Sequence, residues 1–309
     1  MSRHLGRAKA RGIVEIVVHD ADESQSAMEV EIEKRFGLRE CIVTPSLERE
    51  ENTLRAMGPA VGRLLSRVLR PGELFGVSWG ETLKAIADAV TIERPIDVGV
   101  VPIIGAMGQM ETGIYPNAIA GRFAQKLGGR SFLVNAPAVL DSEATRDSIL
   151  NDRNFVAVRE WWSTLSAAIV SVSSLSPDAS VARYEVFSAE ELGRIQNAGV
   201  VCATNFNFID AQGTFVDTEF DRRMIKLNLD ELRGLHSLIV VAVGSRKVAP
   251  IRAALSGGFV DILVVDRDTA EAVLADSCES PGVNPFASTG AKSQPQPKTS
   301  QGPHQSQDS

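Results

Sequence analysis

The stretch Gly76–Leu83, with the sequence GVSWGETL, runs from the end of an apolar segment through a glycine turn into a segment of helical composition. A strand that enters a helix in this way leaves backbone N–H groups open at the start of the helix. The hydroxyls of Ser78 and Thr82 stand beside those groups. The stretch therefore predicts either a cradle for an anion such as phosphate or an ordinary strand-to-helix turn.

Working outward from this turn, short apolar segments alternate with helical ones. Strands that are apolar on both faces and separated by helices indicate a mostly parallel sheet covered on both sides. We therefore predict a doubly wound α/β fold. The predicted strands are Leu74–Val77, Val98–Ile104, Ser131–Val134, Ala167–Val172, Val200–Ala203, Leu238–Val243 and Ile262–Val265.

Helix signals occupy the intervening segments. Apolar residues recur at steps of three and four between Asn52 and Leu69, which predicts an amphipathic helix. Ser188 and Glu191 have the spacing of a capping box, and Asn117 is placed to start a helix that ends at Gly128. These signals support the same alternating fold.

Three further strand ends carry candidate binding residues. Gly105 follows one apolar strand and Lys247 follows another, and the carboxyl ends of parallel strands meet at the edge where open α/β folds bind ligands. Lys247 either offers a charge to a phosphate or is an exposed loop lysine. Asn117 either caps its helix or contacts a sugar hydroxyl, and Asp210 either bonds to hydroxyls or stabilises the Asp210–Gly213 turn.

Composition and charge exclude several classes of protein. The 309 residues are 44% hydrophobic, and the sequence lacks an apolar run approaching the roughly 20 residues of a membrane span or the pattern of a signal peptide. The expected location is the cytoplasm, without a membrane partner. The formal net charge of the chain is −7, and an acidic body repels nucleic acid. The basic residues among Ser2–Arg11 are therefore the expected nucleic-acid contacts, unless they form a solvated helix face.

Residues for metal or acid–base chemistry are sparse. No histidine lies in a predicted strand-end loop, and the three cysteines are far apart in sequence. We expect no metal, no cofactor and no catalytic residue. Carboxylate chemistry by Glu81 or Asp210 beside Lys247 remains the enzymatic alternative, because isomerisation of a sugar phosphate needs a base and a charge near an enediolate.

With these residues in view, the chain resembles the SorC-type bacterial transcription regulators and their sugar-binding domain. The resemblance spans about Ser2 to Asp276 and rests on the GVSWGETL stretch together with shorter matches. These are Val101–Pro102, Gly105, Asn117, Ala136–Pro137, Asp210–Gly213, Lys247 with Ala253–Leu255, and Val264–Asp266 with Thr269–Ala270. Ser171–Ser174, Ala203–Asn205 and Ser245 depart from the family pattern.

The resemblance implies a fold like that of sugar-phosphate isomerases and CoA-transferases, used to bind a phosphorylated sugar effector. It places the phosphate loop on Gly80, Glu81 and Thr82 and the phosphate-contacting lysine at Lys247. With the candidates above, the effector-binding residues are Ser78, Gly80, Glu81, Thr82, Gly105, Asn117, Asp210 and Lys247. We expect a homodimer or homotetramer whose association responds to the effector. A sugar-phosphate isomerase-like enzyme is the alternative function.

The expected organisation has three parts. Residues 1–20 resemble the end of a recognition helix and the first wing strand, with Ser2, Arg3, Arg7 and Lys9 as DNA contacts. Residues 21–276 form the effector-binding and oligomerisation domain, and 277–309 form a disordered tail of low complexity. Because a recognition helix needs its partner helices, we expect specific binding of operator DNA only from a chain extended upstream.

Overall fold

The computed structural model describes residues 23–107, 112–176, 179–184 and 186–275. The predicted DNA contacts Ser2, Arg3, Arg7 and Lys9 and the predicted tail 277–309 lie outside the described residues. The structure below therefore concerns the predicted effector-binding domain.

A seven-stranded sheet forms the centre of the fold, and all of its strand pairs are parallel. In their order across the sheet, the strands are β1 (Glu40–Thr44), β10 (Ile262–Asp266), β9 (Ser237–Ala242), β5 (Leu165–Val170), β2 (Leu74–Val77), β3 (Gly99–Pro102) and β4 (Arg130–Ser131). This arrangement confirms the predicted doubly wound α/β class.

Helices cover both faces of the sheet. The described residues contain α1 (Glu23–Phe36), α2 (Glu50–Val68), α3 (Glu81–Ala89), α4 (Pro116–Leu127), α5 (Glu143–Leu150), α6 (Val156–Ser163), α7 (Ser180–Arg183), α8 (Ala189–Asn197), α9 (Leu229–Arg233), α10 (Val248–Ser256) and α11 (Arg267–Ala275). The predicted helix over 52–69 is α2, and the predicted capping box forms at Ser188 and Glu191 of α8.

Two hydrophobic cores explain why the strands are apolar throughout. Ile239 and Val241 pack with α2, α3 and α4 on one face, whereas Leu238 and Val240 pack with α1, α6 and α10 on the other. Successive side chains of a strand point to opposite faces, so a strand covered on both sides needs an apolar residue at every position. All six residues of β9 are buried.

A second, antiparallel sheet corrects part of the predicted topology. It has the order β6-β7-β8, formed by β6 (Val172–Ser173), β7 (Cys202–Thr204) and β8 (Asn207–Ile209). The prediction that Val200–Ala203 belongs to the parallel sheet is wrong, because a short apolar run does not reveal which strand it pairs with. The predicted strand Ala167–Val172 is also divided, since the chain passes from one sheet to the other at Ser171.

Candidate functional site

A cavity of about 600 Å³ opens at the carboxyl-terminal edge of the parallel sheet. Its walls come from the segments that directly follow β2, β5 and β9, and from the β7–β8 hairpin. Lining residues from these segments include Ser78–Thr82, Ser171–Ser174, Lys247 and Asn205–Phe206. Adjacent parallel strands end at this edge, so residues far apart in sequence meet here.

The turn between β2 and α3 contributes the beginning of a helix to the cavity wall. Gly80 stands at the N-cap position with φ 110° and ψ 171°, and no side chain caps the helix there. This backbone conformation is essentially restricted to glycine. The first N–H groups of α3 have no partner within the helix and are available to an anion in the cavity.

Lys247 is the second component of the anion-binding wall. Its Nζ donates hydrogen bonds to Thr82 Oγ1 at 2.7 Å and to Ser171 Oγ at 2.9 Å. Burial lowers the pKa of Lys247 from 10.5 to about 8, and the carboxylates of Glu50 and Glu81 only partly oppose this effect. The amine is therefore mainly protonated at pH 7, in surroundings that solvate its charge poorly.

Charge pairing separates Lys247 from the other cations around the cavity. Four of the five lining cations form salt bridges with acidic residues that also line it, whereas Lys247 has no carboxylate within salt-bridge distance in the described ranges. The four pairs are Arg55–Glu51, Lys84–Asp88 at 3.7 Å, Arg183–Glu81 at 2.7 Å and Arg246–Glu50 at 3.3 Å. Lys247 is thus the cation best placed to gain from an incoming anion.

Glu81 begins α3, but its carboxylate is engaged at the side of the cavity. Its Oε1 accepts hydrogen bonds from Arg183 at 2.7 Å and from the Tyr184 hydroxyl at 2.8 Å. A carboxylate repels a phosphate, so we assign the Glu81 side chain to holding the Ser180–Tyr184 segment. At this position an anion can use the backbone N–H group.

Comparison with known proteins identifies the family. The family model described as "Putative sugar-binding domain" matches residues 22–275. The chain belongs to this family. The chain is 30% identical to the sorbitol operon regulator of Klebsiella pneumoniae and 29% identical to the deoxyribonucleoside regulator of Bacillus subtilis. Each alignment covers 89% of this chain and 88% of the relative. The crystal structure of full-length SorC from K. pneumoniae superposes with a TM-score of 0.77 at 29% identity, covering 88% of each chain.

The SorC family resemblance also pointed to Gly105 and Asn117, which the structure places outside the lining of the cavity. A Cβ atom at Gly105 would lie 2.6 Å from the Ala136 carbonyl oxygen, so this glycine allows two backbone segments to approach. The Asn117 side chain accepts from Val134 N at 3.0 Å and donates to Val134 O at 3.2 Å. Both residues support the fold in this structure.

Asp210 also lies away from the cavity lining. Its Oδ1 accepts hydrogen bonds from the backbone N–H groups of Gln212 at 2.9 Å and Thr214 at 2.8 Å. Asp210 thus has the turn-stabilising role, one of the two that its sequence position suggests. Of the eight predicted residues of the SorC-type site, the structure therefore brings together Ser78, Gly80, Glu81, Thr82 and Lys247.

Two site residues were not predicted, namely Ser171 and Asn205. Ser171 accepts a hydrogen bond from Lys247, and Asn205 accepts one from Ser78 at 2.8 Å. In the sequence, both stand out only as departures from the SorC family pattern. Their polarity at the ends of apolar strands was a usable signal, because buried polar side chains need partners.

The described residues contain no group of three or more His, Cys, Asp or Glu side chains arranged to hold a metal ion. A search of the same residues for a helix both long and apolar enough to cross a bilayer found none. Cys41 and Cys202 are buried free thiols, and burial raises the pKa of each.

Proposed function

We propose that the cavity binds a phosphorylated sugar and that the chain is a cytoplasmic, non-enzymatic regulator of carbohydrate genes. The observation that carries this proposal is the Lys247 ammonium, which has no carboxylate partner among the described residues and lies beside Thr82 at the open start of α3. A helix N-terminus and a cation within one cavity favour an anion of phosphate size.

The remainder of the cavity suits a polyhydroxylated group. A volume of about 600 Å³ lies within the range of small-molecule sites. Serine hydroxyls line one side, and the stacked rings of Trp79 and Phe206, with centroids 5.2 Å apart, form part of another. Such walls offer hydrogen bonds to hydroxyl groups and apolar contact to the C–H face of a sugar.

Regulation is the use of this site that the family supports. We propose that effector binding alters association of the chain into dimers or tetramers and thereby its affinity for operator DNA. The proposal assigns DNA contacts to Ser2, Arg3, Arg7 and Lys9. An isomerase-like reaction is less well supported, because Glu81, the carboxylate at the start of α3, is engaged by Arg183 and Tyr184.

Thermal denaturation with paired sugars tests the proposal. Sorbitol 6-phosphate, glucose 6-phosphate and ribose 5-phosphate would each be compared with the unphosphorylated compound, and a ligand in excess raises Tm by mass action. We expect at least one phosphorylated member to raise Tm and its partner to have no effect. Equal shifts for both members of every pair, or no shift for any compound, would contradict the proposal.

A matched pair of variants assigns the effect to the cavity. Lys247→Met should remove the phosphate-dependent shift. Lys126→Met removes the same charge from the exposed last turn of α4 and should leave the shift unchanged. Equal loss in both variants would indicate general charge attraction instead of a site.

A further inference from the structure

The hydrogen-bond polarity of Ser78 is fixed by the buried side chain of Asn205. Asn205 Nδ2 donates to the carbonyl oxygens of Ile103 and Leu227, both at 3.1 Å. Carbonyl oxygens can only accept, so the amide nitrogen must face them and the amide oxygen must face Ser78. The orientation of this amide therefore follows from its partners.

Because the amide oxygen carries no hydrogen, the Ser78 hydroxyl donates its one proton to Asn205 Oδ1, at 2.8 Å. The oxygen of Ser78 is left with lone pairs, which can accept but not donate. Ser78 lines the cavity and is otherwise buried, with 2% of its surface exposed. It therefore presents an acceptor to the cavity.

The hairpin that holds Asn205 has little freedom to release it. Asn205 and Phe206 occupy the two turn positions between β7 and β8, with φ 48° and 55°, as in a type I′ turn. The buried Lys226 Nζ donates to Phe206 O at 2.9 Å and to Asn207 Oδ1 at 2.6 Å. Lys226 thus holds the two residues that directly follow Asn205.

The opposite polarity holds at Thr82. Its Oγ1 accepts from Lys247, and no hydrogen bond among the described residues uses its own proton. The Thr82 hydroxyl can therefore donate its proton to a ligand in the cavity, as can the N–H groups at the start of α3. One wall of the cavity presents donors and a cation, which suit a phosphate, and Ser78 presents an acceptor, which does not.

We propose that Ser78, oriented by Asn205, accepts a hydrogen bond from a hydroxyl group of the ligand and takes no part in holding the phosphate. This inference rests on the proposed function, because it assumes that the cavity holds a phosphorylated sugar. It reverses the expectation that the Ser78 hydroxyl helps to form the anion cradle. Ser78 is then a specificity-determining residue, and Asn205 is a positioning residue.

Calorimetric titration with a double-mutant cycle between protein and ligand tests the assignment. The probes are whichever of sorbitol 6-phosphate, glucose 6-phosphate and ribose 5-phosphate bind, together with their monodeoxy and deoxyfluoro analogues. Fluorine has the position of the hydroxyl but cannot donate. We expect Ser78→Ala to lower affinity for the parent sugar phosphate about tenfold, which is the scale of one neutral hydrogen bond.

At one ring or chain position of the sugar, the deoxy and fluoro analogues should bind wild type about tenfold more weakly than the parent does. Ser78→Ala should bind these analogues no more weakly than wild type binds them. Unaltered affinity of Ser78→Ala for the parent, or additive losses at every position, would overturn the inference alone. In that case phosphate dependence would still support the proposed function. If no probe binds wild type, both fail. If Ser78→Ala does not fold, the fluoro analogues still test the inference on wild type alone. The inference is refuted if, at every position, the fluoro analogue binds wild type as tightly as its parent does.

Discussion

Replacing Lys247 by methionine should stabilise the ligand-free protein while abolishing recognition of phosphate. The side chain lengths are similar, but the variant has no ammonium to desolvate. A pKa lowered from 10.5 to about 8 corresponds to roughly 3 kcal/mol of lost stability in the protonated form. The side chain is half-buried and its two hydroxyl partners can be hydrated, so we expect a gain of about 1–2 kcal/mol.

The difference in stability between Lys247→Met and wild type should depend on pH. The unfolded chain holds the Lys247 proton up to an ordinary pKa of 10.5, whereas the folded chain releases it near pH 8. Between these values the unfolded state binds more protons, so the contribution of Lys247 to stability rises with pH across that window. Lys247→Met lacks this rise, and its advantage over wild type should be largest below pH 8 and vanish near pH 10.5.

Thermal and urea denaturation of both proteins between pH 6 and pH 10 would measure these differences, with Lys126→Met as the control. A gain of about 1–2 kcal/mol corresponds to several degrees in Tm for a domain of this size. A Lys247→Met protein that is less stable than wild type at pH 7 would refute the reasoning. Retention of the phosphate-dependent rise in Tm would refute it equally.

Changes at Gly80 and Asp210, and the assembly state of the chain, should also have measurable effects. Gly80→Ala should lower the free energy of unfolding by about 1–3 kcal/mol and weaken effector binding, because φ 110° strains an L-residue. The strain lies in the backbone, since no neighbouring atom blocks a Cβ at Gly80. Stability and affinity unchanged from wild type would contradict this prediction. Asp210→Ala should cost about 1–3 kcal/mol by removing two turn hydrogen bonds and leave effector affinity unchanged in calorimetry, whereas loss of affinity would return Asp210 to the site. Sedimentation should show a dimer or tetramer whose mass changes with effector, and a strict monomer under both conditions would contradict the proposed regulation.

The sequence was sufficient for the parts of this structure that depend on local pattern. Strands such as β9 are apolar at every position, which identifies a sheet covered on both faces without knowledge of its neighbours. The glycine turn at Gly80 and the position of Lys247 after β9 likewise follow from strand ends in a parallel sheet. These features predict that Thr82 and Lys247 lie at one edge of the sheet, where the structure shows them in contact.

The remainder depended on long-range packing that a single sequence does not encode locally. The antiparallel partner of β7 could not be inferred, because a buried strand of three residues fits either sheet. The partnership of Ser78 with Asn205 joins residues 127 positions apart. Asp210 had two physically reasonable roles, and only its backbone partners decided between them. Asn117 does not cap α4, whose N-cap is Tyr115, and its bonds to the Val134 backbone were not among the roles that the sequence offered.

A crystal structure of the chain with the sugar phosphate that raises Tm most would show directly where the phosphate of the effector lies. We predict that the phosphate lies within hydrogen-bond distance of Lys247 Nζ and the Thr82 hydroxyl, about 3 Å, and accepts from the first N–H groups of α3. A phosphate held instead by the paired cations Arg55 and Lys84, or bound outside this cavity, would contradict the account.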